Sequence, residues 1–125
     1  MADEFQASRP IYMQIVEKIT HQIARYERMP GEKLPSVREM AIASGVNPNT
    51  IQRTYSELER MKIVETRRGQ GTFITESEEM LNELRTKLQL DLLDQFIRNM
   101  QELGIGKEKI ISLLTSYLQE KKGEM

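Results

Sequence analysis

Cysteine and tryptophan are absent from this 125-residue chain, histidine occurs once, and the aromatic residues are four tyrosines and three phenylalanines. Without cysteine there is no disulfide framework and no thiolate zinc site. The lone histidine, His21, cannot supply the several ligands that a metal needs, so no metal or cofactor is expected. No run approaches the roughly 18 apolar residues that read as a membrane-spanning helix. The opening decapeptide MADEFQASRP is polar and acidic, unlike a signal peptide, and a soluble, cytoplasmic protein is expected. Catalytic candidates are equally scarce, with no nucleophile elbow, no cysteine nucleophile and no paired carboxylates in a pocket-like setting. The stretch Arg68-Gly69-Gln70-Gly71 lacks the spacing and the lysine of a phosphate-binding loop. An enzyme is not expected.

Net charge is only −1, but it is unevenly spread. Residues 1–75 carry 11 basic and 9 acidic side chains, and residues 76–125 carry 7 and 10. Residues 33–75 alone hold 7 basic and 4 acidic groups. Phosphate contact requires a local basic face rather than a basic protein, and residues 33–75 are where such a face would lie.

The pattern along the chain is mainly helical. Ile11, Ile15, Ile19 and Ile23 recur every four positions, widened by Tyr12, Val16 and Tyr26. Such spacing predicts an amphipathic helix of about five turns from Pro10 to near Met29, stopped by Pro30-Gly31. Ser36 with Glu39 three residues on is a capping box for a second helix. That helix should bury Val37, Met40 and Ala41 and end at a left-handed Gly45. Asn47 then caps a third helix with Pro48 in its first position. Ile51, Tyr55 and Leu58 share its packing face, whereas Asn49, Arg53, Ser56 and Arg60 lie opposite, with Thr50 and Gln52 on the flanks. Amides, a hydroxyl and arginine on outer helical turns can hydrogen-bond base edges and phosphates. The β-branched runs Ile63–Thr66 and Thr72–Thr75 flank a glycine-bearing turn and predict a hairpin with Arg67 and Arg68 at its tip. Helix, tight turn, helix and basic hairpin together make a winged helix-turn-helix, a shape suited to duplex DNA.

From Glu78 the pattern changes. Leu81, Leu84, Leu88, Leu92, Phe96, Met100 and Leu103 step by three or four until Gly104, predicting one long helix. A last helix from about Lys107 presents Ile110, Ile111, Leu113, Leu114, Tyr117 and Leu118. Two helices with more than one apolar face each cannot bury that surface against each other alone. A symmetric partner is the economical solution. The expected dimerisation residues are Leu81, Leu84, Leu88, Leu92, Phe96, Met100, Leu114 and Leu118. The expected divisions are a flexible arm (1–9), a winged helix-turn-helix domain (10–75) and a two-helix dimerisation tail (76–125), with a hinge at Thr75 to Glu79.

The segments PIYMQIVEKI, KLPSVREMA, GVNPNTIQRTYSELE and ETRRGQGTF, in this order over residues 10–75, resemble the GntR family of bacterial transcription regulators. Within it they resemble the YtrA-like subfamily, whose tail is two helices in place of a large effector domain. The resemblance implies a homodimer that binds double-stranded DNA at an inverted-repeat operator, usually as a repressor, often of a transporter operon. It places DNA contacts at Arg38 on the second helix, at Asn47, Asn49, Thr50 and Gln52 at the start of the recognition helix, and at Arg68 and Gly69 in the wing. Together with Ser36, Arg53 and Arg67 these make up the expected DNA-binding set. Many family members carry arginine where this chain has Pro48 and Gln52, so more of the affinity is expected from Arg38 and the wing. An effector is not assigned by these motifs. The alternative is a winged helix that docks on proteins without DNA specificity, which leaves Arg38, Arg67, Arg68 and the Asn49 turn unexplained.

Overall fold

The computed structural model describes residues 4–121. The element order is α1 (Ile11–Ala24), α2 (Val37–Ser44), α3 (Pro48–Arg60), β1 (Val64–Arg67), β2 (Gly71–Ile74), α4 (Glu78–Glu102) and α5 (Lys107–Glu120). The chain divides into two units, the first running to Arg85 and the second beginning at Thr86. The described residues therefore form a mainly helical fold with one two-stranded antiparallel hairpin, as the sequence pattern predicts.

In the first unit, α3 is the central element, packing on α1 and α2 and meeting β1. Its Ile51, Tyr55 and Leu58 are buried with Ile15, Ile19 and Ile23 of α1 and Met40 and Ala41 of α2. The register of the hairpin pairs Val64 with Ile74 and Arg67 with Gly71. Residues 31–34 run alongside β2, where the Leu34 N–H donates to Thr72 O and the Ile74 N–H donates to Glu32 O, each at 2.8 Å. The first turns of α4 also belong to this unit. Leu81 and Leu84 are buried, and Arg85 donates to Ile23 O and Ala24 O at 3.3 and 3.4 Å while lying 4.0 Å from the centre of the Tyr26 ring. Leu81 and Leu84 were expected in a dimer seam, and that assignment is corrected: side chains with 0% and 6% exposure are interior.

Helix α1 stops five residues before the expected Met29, because a Schellman motif closes it on Tyr26. The Tyr26 N–H donates to Ile23 O and the Glu27 N–H to Gln22 O, and Tyr26 takes a φ of 64°. This is the usual glycine arrangement carried by a tyrosine, so Tyr26 is exposed rather than part of the apolar stripe. The segment 6–9, expected as a flexible arm, is tied to α1: the Gln6 N–H donates to Gln14 Oε1, and Gln14 Nε2 donates to Gln6 O and Arg9 O. The part of that arm before Glu4 lies outside the described residues. The expected hinge is also held. Thr75 N–H donates to Ile63 O, and Ser77 caps α4 by accepting from the Met80 N–H at 3.2 Å.

Tyr55 donates its hydroxyl to Pro35 O at 2.7 Å, joining α3 to the entry of α2. Burial pushes its phenol up to about 12 from 10.0. The folded phenol stays neutral where the unfolded one ionises, so its contribution is whole below about pH 10 and lost as the pH rises through about 12. Tyr55→Phe is expected to cost about 1 kcal/mol at neutral pH. The gap between the urea midpoints of the two proteins should close and then reverse as the pH rises from neutral to strongly alkaline, and a constant gap would contradict the burial.

In the second unit, only Ile110 among the described residues is buried. Leu90, Leu92, Leu93, Leu103, Ile111, Leu113, Leu114, Tyr117 and Leu118 are exposed. Phe96, Met100, Leu113, Leu114 and Tyr117 line an apolar hollow of about 340 Å³.

Candidate nucleic-acid interface

The local sequence fixes the helix-turn-helix through its caps. The Ser36 hydroxyl accepts from the Glu39 N–H and the Glu39 carboxylate accepts from the Ser36 N–H, at 3.1 and 2.9 Å. That backbone donation, then the serine side chain and, less strongly, the nearby Lys33 charge, hold the Glu39 carboxyl below the usual range. Gly45 ends α2 at φ 70°, the left-handed conformation that glycine takes without steric cost. Asn47 Oδ1 accepts from the Asn49 N–H at 2.7 Å and caps α3. Because Oδ1 is engaged, the amide Nδ2 of Asn47 is the group left to donate outward.

The outer surface of α3 carries exposed Asn49, Gln52, Arg53 and Ser56, with Thr50 half-buried beside them. The amphipathic division of α3 therefore lies where its sequence places it. The arginines differ in how far they are committed. Arg53 lies over the Tyr12 ring at 3.9 Å from its centre, a stack that orients the guanidinium and leaves its charge unneutralised. Arg60 is ion-paired with Glu57 within α3. This pairing is the main reason why the Glu57 carboxyl is held below its ordinary range.

Arg67 was expected at the tip of the hairpin; instead it is the last residue of β1. Its guanidinium lies 4.2 Å from the centre of the Phe73 ring and donates to Glu65 Oε1 at 3.1 and 2.8 Å. Strand alternation accounts for this: positions 65 and 67 share one face, so the carboxylate and the arginine meet. The turn itself is Arg68, Gly69 and Gln70, closed by the Gln70 N–H donating to Arg67 O. Gly69 takes a φ of 76° with open space around it.

Arg38 and Arg68 are exposed, and among the described residues neither guanidinium has a hydrogen bond, ion pair or ring contact. Both carboxylates that could have neutralised Arg38 are occupied elsewhere, Glu39 in the capping box and Glu32 with Arg28 at 3.6 Å. His21 is exposed on α1, and no cluster of metal-ligating side chains exists among the described residues. Lys33, which is not in the expected DNA-binding set, is brought to the wing by the pairing of residues 31–34 with β2. Lys33 opens the segment KLPSVREMA, but only that long-range pairing shows that it lies on the wing.

Comparison with known proteins gives a consistent picture. Residues 11–74 match the model of "Bacterial regulatory proteins, gntR family". The chain is 54% identical over 119 residues to the uncharacterised HTH-type transcriptional regulator YhcF of Bacillus subtilis, covering 95% of this chain and 98% of the relative. It is 37% identical to the HTH-type transcriptional repressor YtrA of the same organism, over 94% of this chain and 92% of that one. A solved GntR family transcriptional regulator from Listeria monocytogenes superposes with a TM-score of 0.85 at 44% identity, covering 90% of this chain and 98% of that structure.

Proposed function

This chain belongs to the GntR family of bacterial regulatory proteins, with YtrA-like relatives, and from that premise we propose that it acts as a homodimeric repressor on an inverted-repeat operator. It is a DNA-binding transcriptional regulator and not an enzyme. The reading assigns α3 to the major groove, with Asn47, Asn49, Thr50 and Gln52 at the base edges and phosphates, Arg53 held by Tyr12, and Ser36, Arg38 and the wing on the backbone.

The observation that carries the assignment is the pair of exposed arginines without protein partners, one in the first turn of α2 and one in the wing turn. An unneutralised guanidinium releases counterions when it meets phosphate, whereas a paired one must first give up its carboxylate. For this reason Arg68 and Arg38 rank above Arg67, which Glu65 already neutralises.

Dimerisation is supported by the exposed leucines of the second unit, since contiguous apolar surface of this kind marks an interaction site. The dimer residues are Leu88, Leu92, Phe96, Met100, Leu114 and Leu118. A two-fold dimer would place its two recognition helices in successive major grooves about 34–36 Å apart. Repression is supported by the similarity to YtrA, a transcriptional repressor.

Arg68→Ala tests the wing assignment. The slope of log affinity against log salt should flatten by about one phosphate contact, with no change in the melting midpoint. An unaltered slope would remove the wing from the interface.

A further inference from the structure

We propose that Lys33, outside the helix-turn-helix and outside the hairpin, is a phosphate ligand of the wing; the inference rests on the DNA-binding reading given above. Lys33 pairs with Phe73 in an isolated antiparallel bridge, which makes residues 31–34 a third strand-like edge on β2. The Lys33 side chain then runs along the wing. A Cβ built on Gly71 would meet Lys33 Cε at 2.9 Å and Nζ at 3.7 Å. Gly71 takes a φ of 124° and is the register partner of Arg67. Glycine at this rung thus serves two needs, the backbone conformation and the passage of the lysine.

The ammonium arrives beside the last rung of the hairpin, adjacent to the turn that carries Arg68. Lys33 is exposed, and among the described residues no hydrogen bond or ion pair holds it. Glu65, the carboxylate of the wing, is taken by Arg67. Glu39 feels the Lys33 charge, but both its backbone and side-chain bonds go to Ser36. Lys33 therefore puts a cation with no hydrogen-bond or ion-pair partner among the described residues beside the wing. A compact ammonium on a flexible stem suits a phosphate oxygen as a point charge, without the bidentate demands of a base edge. Its contribution should be to affinity on any sequence rather than to selectivity.

The test uses the full-length protein, Lys33→Gln and Lys33→Arg, each titrated on a selected operator duplex and a scrambled duplex at ~50 and ~200 mM salt. Loss of one phosphate contact should make the affinity drop between the two salts about 3.5-fold smaller for Lys33→Gln on both duplexes. Lys33→Arg should keep the slope, and the melting midpoints should be unchanged. A Lys33→Gln slope equal to that of the unmodified protein overturns the assignment, as does a fallen melting midpoint, which would make Lys33 a structural partner of Glu39. If the unmodified protein itself binds neither duplex in a salt-dependent way, the DNA-binding reading fails first and the inference falls with it.

Discussion

Replacing Arg38 by alanine should weaken operator binding by about ten- to 150-fold, the effect of losing one charge-assisted contact worth about 1.5–3 kcal/mol, while leaving stability within about 0.5 kcal/mol. Both halves follow from its surroundings. The side chain is exposed, so its removal opens no cavity. It has no partner to orphan, because Glu39 closes the capping box and Glu32 pairs with Arg28. Whatever Arg38 contributes must therefore be made outside the described fold. Arg60→Ala is the matched control. Its guanidinium is spent on Glu57, and its removal should alter affinity far less. Fluorescence anisotropy with labelled operator, alongside a melting curve, separates the two effects; unchanged affinity for the Arg38 variant would strike it from the interface.

Leu81→Ala should destabilise the DNA-binding unit by about 2–5 kcal/mol, the usual range for a buried leucine cut to alanine. Its exposure is 0%, although the long leucine stripe places it formally with the tail. The consequence for dissection is direct. A chain cut after Thr75 loses Leu81, Leu84 and the Arg85 bonds to the end of α1. It should melt far below the full-length protein. A chain cut after Arg85 keeps all three and should fold, remain monomeric in sedimentation, and bind DNA weakly. Equal stability of the two truncations would show that α4 begins outside the DNA-binding unit.

The sequence was most legible where a local chemical signal ends or begins an element. Ser36 with Glu39, Asn47 with Pro48, Gly45 and Gly104 each sit where their chemistry demands. The left-handed φ values of 70° and 76° at Gly45 and Gly104 match a residue whose missing Cβ advertises the position. Two other helix ends use the same hydrogen-bond pattern without glycine. Tyr26 and Lys62 adopt φ values of 64° and 65°, with the Ile63 N–H closing α3 on Leu58 O. Nothing local distinguishes such a tyrosine from one that continues a helix, so the sequence pattern extends α1 to Met29. The same Ile63 bond starts β1 one residue later than the β-branched run suggests.

Side-chain commitments were less legible. The hairpin signal places Arg67 at the tip, where the structure does not, and helical periodicity places Arg53 on the outer face, but the partners that hold them, Glu65 with Phe73 and Tyr12, are set by register and by helix packing. The leucine stripe does mark a helix, yet its first two leucines serve the unit before it. A period of 3.6 reports the face of a helix and says nothing about what covers that face.

The measurement that bears most directly on DNA recognition is a titration of the full-length protein against a duplex selected from a random pool and against its scrambled counterpart, at two salt concentrations. Tight binding to the selected duplex, much weaker binding to the scrambled one, and a steep fall of both with salt is the expected result. Weak binding that is equal for the two duplexes and insensitive to salt would contradict it.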